Sequence, residues 1–157
     1  MKNTYELIAP CHFGLESVLK REIYDLGYDI SKVEDGKVTF IGDADAIARA
    51  NIFLRTAERV LLKVGEFKAT TFTELFDNTK ELEWEEFIPK NGKFWVTKAN
   101  SINSKLFSSS DIQSIVKKAI VERLKGKYAV NWFEEDGNSY PIRVSLMKDV
   151  VTISLDT

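Results

Sequence analysis

The order of predicted elements in the first 67 residues constrains the fold more than any other feature of the sequence. Short apolar segments of strand character alternate with two segments that carry an apolar stripe at helical spacing. The Asp35-Gly36 pair between two of the apolar segments is a strong signal for a tight hairpin. The predicted strands cover residues 5–9, 30–33, 37–40 and 59–67, and the predicted helices cover residues 13–26 and 44–54.

This β-α-β-β-α-β order is that of a ferredoxin-like domain, an antiparallel sheet with two helices packed on one face. The pattern then restarts with a short helix from Thr71, a strand over 94–97, a long helix, and two final strands joined at Lys148-Asp149. We therefore predict an α+β protein with two domains, residues 1–67 and residues 68–157.

Positive charge is concentrated between Ile88 and Tyr128. Nine Lys or Arg residues there oppose only Asp111 and Glu122, a local balance of 9 − 2 = +7 in a chain of net charge −2. Six acidic residues between positions 74 and 86, and three more at 134–136, offset this charge elsewhere in the sequence. Such segregation is typical of a surface that binds phosphate, although a solvated helix face would look the same.

The long helix within this stretch is predicted from its start signal and its periodicity. Ser110 and Gln113 have the spacing of a capping box, and Gly126 is placed to end the helix. The loop before it, residues 100–109, is rich in Asn and Ser. The predicted buried stripe is Ile112, Ile115, Val116, Ala119 and Ile120, and the predicted solvent-facing residues are Ser114, Lys117, Lys118 and Lys125.

Residues suited to catalysis or metal binding are scarce. Cys11 and His12 are the only residues of their types. The sequence therefore lacks the residues for an internal disulfide or a multi-histidine metal site and offers few for a catalytic triad. No glycine-rich phosphate loop and no apolar run of membrane-spanning length occurs. We expect no catalytic residue, no metal site and no membrane partner in these residues, and the single cysteine fits a reducing cytoplasm.

Five segments together resemble the N-terminal half of the THUMP-domain RNA methyltransferases. They are Leu7–Tyr28, Ala50–Leu62, Phe72–Phe76, Ser104–Leu124 and the terminal Ser154–Thr157 (SLDT). The resemblance implies a ferredoxin-like domain followed by a THUMP domain that binds structured RNA, rRNA or tRNA. It also implies a methyltransferase domain beyond Thr157, absent from these residues, that uses S-adenosylmethionine to methylate a guanine amino group. We expect this sequence to be part of a longer polypeptide.

The RNA-binding residues that the resemblance and the charge cluster imply lie around the long helix. They are Lys98, Asn100, Asn103, Ser104, Lys105, Ser109, Ser110, Lys117 and Lys118. Arg143 and Lys148 could extend this basic face. We predict that changing Lys105 and Lys117 together to Glu weakens RNA binding without an appreciable loss of melting temperature.

Several alternatives remain open at this point. Leu106 and Phe107 could stack on bases, but a role as an apolar plug in the core is favoured. Arg55 and Arg59 could contact RNA, but helix-end and interdomain ion pairing is favoured. The three tryptophans, Trp84, Trp95 and Trp132, are predicted to be core or boundary residues. For the whole chain, a small-molecule-sensing or oligomerisation module, or the THUMP region of another RNA-modifying enzyme, would fit the same pattern.

Overall fold

The computed structural model describes residues 4–129 and 137–157, so that Trp132 and the acidic residues at 134–136 lie outside the described residues. The chain forms two compact units, the first reaching to Lys63 and including Asp156–Thr157, and the second spanning Val64–Leu155. The first unit contains the predicted β-α-β-β-α-β order. Its elements are β1 (Tyr5–Pro10), α1 (Glu16–Asp25), β2 (Asp29–Glu34), β3 (Lys37–Gly42), α2 (Ala44–Phe53) and the start of β4 (Leu61–Lys68).

The sheet of the first unit has the strand order β2-β3-β1-β4, and β1 is antiparallel to both β3 and β4. Its core is built from the inward residues of β1 and β3 and from one stripe of each helix. The fully or almost fully buried residues are Leu7, Ala9, Leu19, Ile23, Val38, Phe40, Ala46 and Ala50. Burying a Leu, Ile or Phe side chain contributes roughly 1.5–3 kcal/mol each, so these two stripes fix the helices on the sheet.

Helix α1 begins later than predicted, at Glu16 rather than at residue 13. The cause is local, because Gly14 has a left-handed φ of 93° and the Glu16 carboxylate accepts hydrogen bonds from the Gly14 N–H (2.7 Å) and the Gly36 N–H (3.1 Å). These bonds hold residues 12–15 as a turn against the β2–β3 hairpin. Val18, an apolar residue of the predicted helix 13–26, is exposed.

The last two residues of the chain bond to the first unit. The Arg59 guanidinium forms an ion pair with Asp156 at 2.6 Å, which confirms the predicted ion-pairing role of Arg59. The Asn51 side-chain amide donates to Thr157 Oγ1 at 3.1 Å, and that hydroxyl donates to the Val60 carbonyl at 2.6 Å. We call these contacts the terminal clasp.

The second unit is a mixed sheet covered by helices. Its strand order is β4-β7-β6-β5, with β5 at the edge. The elements after β4 are α3 (Phe72–Glu81), a 3-10 turn (Trp84–Glu86), β5 (Lys93–Ile102), α4 (Ser109–Tyr128), β6 (Ser139–Met147) and β7 (Val150–Asp156). Trp84 is fully buried, as predicted, and its indole N–H donates to the Thr79 carbonyl at 2.8 Å.

Strands β6 and β7 form the predicted antiparallel hairpin. Its turn residues Lys148 and Asp149 both have left-handed φ values, 50° and 66°. Strand β5 is parallel to β6 and is longer than the predicted segment 94–97, because pairing continues past a bulge at Thr97 as far as Ile102. Asn100 therefore lies within a strand rather than in a loop.

Helix α4 carries the predicted stripe but has different ends. Ile112, Val116, Ala119, Ile120 and Leu124 are buried and Ile115 is half-buried. The helix is preceded by Ser108 without a side-chain capping bond, continues through Gly126, and ends before Ala129 at φ 53°. The predicted capping box and the predicted stop at Gly126 were both wrong. Gln113 bonds to β5 instead of capping the helix, and Tyr128, beyond Gly126, donates to the Ile88 carbonyl.

Candidate functional site

One flank of α4 covers the open edge of β5. An edge strand presents unpaired carbonyl groups that must find partners in solvent or in the protein. Here three polar side chains at positions i, i+4 and i+8 of the helix supply the donors. The acceptor carbonyls are two residues apart along the strand, except across the bulge, where they are three residues apart. The three bonds join Ser109 Oγ to the Ala99 carbonyl (2.9 Å), the Gln113 side-chain amide to the Val96 carbonyl (3.2 Å), and the Lys117 ammonium to the Phe94 carbonyl.

Lys117 was predicted to face solvent, and that prediction was wrong. The residue is half-buried, and its ammonium also lies 3.7 Å from the centroid of the Phe94 ring. A cation over an aromatic face gains about 0.5–1 kcal/mol at an exposed site, and the hydrogen bond to the carbonyl adds to this. Lys117 therefore joins the helix to the edge strand. Gln113 likewise donates a hydrogen bond to the edge strand instead of capping the helix.

The C-terminal half of α4 packs its positive charge against the acidic segment that precedes β5. Arg123 makes a bidentate ion pair with Glu85, at 3.0 Å and 2.7 Å, and about four-fifths of each side chain is shielded from solvent. The hydrogen bond from Arg123 lowers the pKa of the Glu85 carboxyl below its usual value. The Tyr128 hydroxyl donates to the Ile88 carbonyl at 2.7 Å. This half of the helix is structural.

Three lysines of the predicted site are exposed. Lys98 lies on β5, Lys105 precedes α4, and Lys118 lies on the outer surface of the helix. Within residues 4–129 and 137–157, none of the three ammonium groups forms an ion pair. Charge that is not neutralised inside the protein is available to an anionic ligand.

Lys98 and Asn100 are on the sheet face opposite to the buried Ala99, because alternate residues of a strand point to opposite faces. The register pairs Lys98 with Arg143 and Asn100 with Ser145 of β6. Arg143 therefore lies beside Lys98 on this face of the sheet. Lys98 and Asn100 therefore point away from the side of the strand on which Ala99 is buried.

Asn103, Ser104 and Lys105 are brought together with the β6–β7 turn. The Lys105 N–H donates to Asp149 Oδ1 at 2.8 Å, and the Asp149 N–H donates to Ser104 Oγ at 3.0 Å. The Lys148 N–H donates to the Ile102 carbonyl at 3.1 Å. We call residues 102–107 and 147–150 the tip of the second unit.

The hydroxyl groups of the predicted site are not equivalent. Ser104 Oγ donates to the Ile102 carbonyl at 3.0 Å while it accepts from Asp149, and Ser109 Oγ is bonded to β5. Ser110 is exposed, and its Oγ lies 3.5 Å from that of Ser108. Asn103 is exposed at φ 50°. Of the predicted neutral donors, Asn100, Asn103 and Ser110 are the ones with exposed side chains not used to hold the fold.

Of the residues predicted to be apolar plugs or core and boundary aromatics, Phe107 lies differently from its favoured position. Leu106 is buried (6% exposed), as expected of a plug, but Phe107 is 79% exposed. Trp95 is 39% exposed and pairs with Pro141 of β6, so that of its two predicted placements, core or boundary, it takes the boundary. The sequence gives no signal that separates Leu106 from Phe107, since both are apolar residues in one polar loop.

Features of other kinds of site are limited. In the described part of the chain, no group of three or more His, Cys, Asp or Glu side chains is placed to hold a metal ion. Cys11 is buried, and this burial raises the pKa of its thiol above the usual value. None of the described helices is long and apolar enough to cross a membrane.

These observations define an α+β protein with a ferredoxin-like unit and a mixed-sheet unit that carries an exposed basic surface. Comparison with known families agrees with this class. A model of the RlmL ferredoxin-like domain matches residues 6–61, and a model of the THUMP domain matches residues 69–156. The chain belongs to the THUMP-domain family, as the sequence resemblance implied.

Relatives of this chain are named methyltransferases. "Putative RNA methyltransferase YpsC" of Bacillus subtilis (strain 168) is 53% identical over 98% of this chain and 40% of its own length. "Ribosomal RNA large subunit methyltransferase K/L" of Marinomonas sp. (strain MWYL1) is 24% identical over 97% of this chain and 21% of its own. The crystal structure of SMU.472, a putative methyltransferase complexed with SAH, superposes with a TM-score of 0.94 at 41% identity, covering 100% of this chain and 42% of that one. The chain thus spans less than half the length of these relatives.

Proposed function

We propose that this chain is the substrate-recognition region of an S-adenosylmethionine-dependent RNA methyltransferase. In this proposal residues 1–67 form a ferredoxin-like domain, and residues 68–157 form a THUMP domain that binds structured RNA. The observation that carries the proposal is the set of exposed lysines without ion pairs, Lys98, Lys105 and Lys118, in the unit that the THUMP model matches. The names of the longer relatives favour a methyltransferase over other THUMP-containing enzymes.

The methyl-donor cofactor would bind outside these residues. The 157 residues contain no glycine-rich cofactor loop, so the residues present do not fit S-adenosylmethionine. The SAH in the structure of one longer relative supports a cofactor site in the remaining part of such a protein. We propose that this remaining part is the catalytic partner of the chain, and the buried single cysteine is compatible with a cytoplasmic location.

The exposure of polar and basic residues in the second unit supports the following RNA contacts. Lys105, ahead of α4, Lys118, at the middle of the helix, and Lys98, on β5, each contact a phosphate. Asn100, Asn103 and Ser110 supply neutral donors. Ser104, Ser109 and Lys117 hold the loop and the edge strand and act on RNA only by positioning their neighbours. Few base-specific groups are needed, because folded RNA is recognised largely through its shape, phosphates and 2′-hydroxyl groups.

The target that we propose is the exocyclic amino group of a guanine in rRNA or tRNA. A large-subunit rRNA enzyme among the relatives supports the rRNA alternative. The division of work is physical: this region fixes the RNA, and a separate catalytic region extracts the target base from its stack.

The test is RNA binding by the 157-residue chain, measured by fluorescence anisotropy with a structured RNA over a series of salt concentrations. Three phosphate contacts predict a log–log salt slope of roughly −2, at about −0.7 per neutralised phosphate as measured for single strands. Lys105→Glu with Lys118→Glu should weaken binding and reduce the magnitude of the slope. The matched control is Lys20→Glu with Lys32→Glu, the same change of charge on exposed residues of the first unit.

Equal affinities of the two double variants would contradict the assigned surface. Absence of RNA binding by the unchanged chain would contradict the proposed function, and a salt-independent small-molecule ligand would favour a sensing module instead.

A further inference from the structure

The tip of the second unit holds an exposed aromatic ring on a fixed loop. Ser101 Oγ donates to the Leu106 carbonyl, and the Leu106 side chain is buried beneath it. Three further hydrogen bonds tie this loop to the β6–β7 turn, as described above. Phe107 therefore projects from a backbone that is held at the adjacent residue and across the loop, with four-fifths of its surface in solvent.

The tip, which carries Phe107, combines apolar surface with positive charge. Single exposed apolar residues are ordinary in proteins, but here Ile102 and Met147 are also exposed, and the sheet register places them side by side. The two lysines of the tip, Lys105 and Lys148, are exposed as well. The one acidic residue of the tip, Asp149, has Oδ1 bonded to the backbone of Lys105.

An unpaired nucleotide offers the complement of this surface. Every nucleobase has an apolar π-face that stacks on aromatic side chains, and its flanking phosphates bind lysine. In an RNA duplex the faces of the bases are covered by their neighbours, so an exposed ring finds no partner there. The ligand must therefore present a base outside a helix.

We propose that Phe107 stacks on an unpaired nucleobase of the bound RNA while Lys105 and Lys148 contact the adjacent phosphates. This inference rests on the proposed function and deepens it, because it specifies that the recognised RNA has a single-stranded element at the tip. Duplex regions of the same RNA would lie against other lysines of the second unit.

The experiment compares two RNAs of equal length, a hairpin with an unpaired loop and a blunt duplex, in binding to the 157-residue chain. Phe107→Ala should weaken binding to the hairpin by about fivefold or more, the loss expected for one base–aromatic stack. Its affinity for the blunt duplex should be unchanged, and Phe107→Trp should retain hairpin binding. The matched control is Phe13→Ala, because Phe13 of the first unit is equally exposed, at 80% against 79%.

A second hairpin RNA tests whether Phe107 contacts the base itself rather than the sugar or phosphate. When the loop nucleotides of the hairpin are replaced by abasic residues, Phe107→Ala should cause no further loss, as a double-mutant cycle requires of two groups that act through one contact. If the unchanged chain binds RNA with the predicted salt slope but Phe107→Ala binds the hairpin equally well, the inference is overturned and the proposed function stands. An equal loss for hairpin and duplex, or a change in self-association instead of RNA affinity, would also overturn it. If the unchanged chain binds neither RNA, both fail together.

Discussion

The two ends of helix α4 use their positive charges in opposite ways. At the C-terminal end, Arg123 is paired with Glu85 and largely shielded from solvent. Lys105, which precedes the helix, and Lys118, at the end of its N-terminal half, are exposed and unpaired within the described residues. All of these cations belong to one sequence stretch of local charge +7. In the folded protein, the acidic segment that precedes this stretch forms its ion pair only with the C-terminal end of α4.

The difference teaches that charge segregated along a sequence is not necessarily segregated in space. Helix α4 packs against α3 and the 3-10 turn, and these elements carry five of the six acidic residues of positions 74–86, with Glu83 between them. The field outside the protein depends on the charges that stay unpaired after folding. The candidate surface is therefore smaller than the sequence stretch and is centred on the start of α4 and the tip.

The largest effect on stability is expected from removing the Arg123–Glu85 ion pair at the C-terminal end of α4. Arg123→Met should lower the free energy of unfolding by about 3 kcal/mol, because it leaves the Glu85 carboxylate shielded from water without its partner. Urea unfolding measures this loss. The comparison variant is Lys118→Met on the same helix, which should leave stability within about 0.5 kcal/mol of the unchanged chain but weaken RNA binding. Similar losses of stability in both variants would refute the distinction between the two ends.

Substitution of Lys117 tests where the structural role of the helix cations gives way to solvent exposure. Because its ammonium is bonded to the Phe94 carbonyl and lies over the Phe94 ring, Lys117→Met should cost about 1 kcal/mol of stability. The sequence predicted instead that Lys105 and Lys117 could both be changed to Glu without an appreciable loss of melting temperature. We now expect that double variant to melt several degrees lower, at about 2–4 °C per kcal/mol for a chain of this size.

The informative control is Lys105→Glu alone, which should melt as the unchanged chain does. Differential scanning calorimetry of the three proteins decides between the two expectations, and an unchanged melting temperature of the double variant would show that the contact of Lys117 with β5 adds nothing.

A smaller effect on stability is expected when the pH is lowered, because the Glu85 carboxylate is then protonated. Because Arg123 lowers the pKa of Glu85 below 4.5, their interaction contributes stability above that pH and loses it as the pH falls through the lowered pKa. The difference in unfolding free energy between the unchanged chain and Arg123→Met should therefore be largest near pH 7 and shrink below about pH 4.5. Glu85→Gln should remove the same part of the pH dependence. A difference that stays constant down to pH 3 would count against this ion pair.

The sequence was sufficient for the features that depend on regular periodicity. The β-α-β-β-α-β order, the Asp35-Gly36 hairpin, the stripe of α4 and the final hairpin all follow from alternating or helical apolar spacing, and the structure contains each of them. These patterns are reliable because burying one face of each element is the dominant energetic requirement.

The roles of the polar residues in α4 could not be obtained in the same way. Gln113 has the spacing of a capping residue, but its amide bonds to β5 instead. Lys117 lies on the flank of the helix, from which its long side chain reaches the carbonyl of Phe94. Both outcomes depend on β5 lying at the edge of the sheet with carbonyls that need donors, and strand order is a property of the tertiary fold. The same limit applies to Leu106 and Phe107, of which the fold buries only the first.

The terminal clasp has a consequence for the order of folding. It joins Arg59 to Asp156 and Asn51 to Thr157, partners that are 97 and 106 residues apart in the sequence. Contacts between such distant residues form late, since the intervening chain must first be brought into a closed loop. During synthesis on the ribosome, the ferredoxin-like unit therefore emerges and collapses without these bonds. It acquires its full set of native contacts only after the whole second unit has been translated.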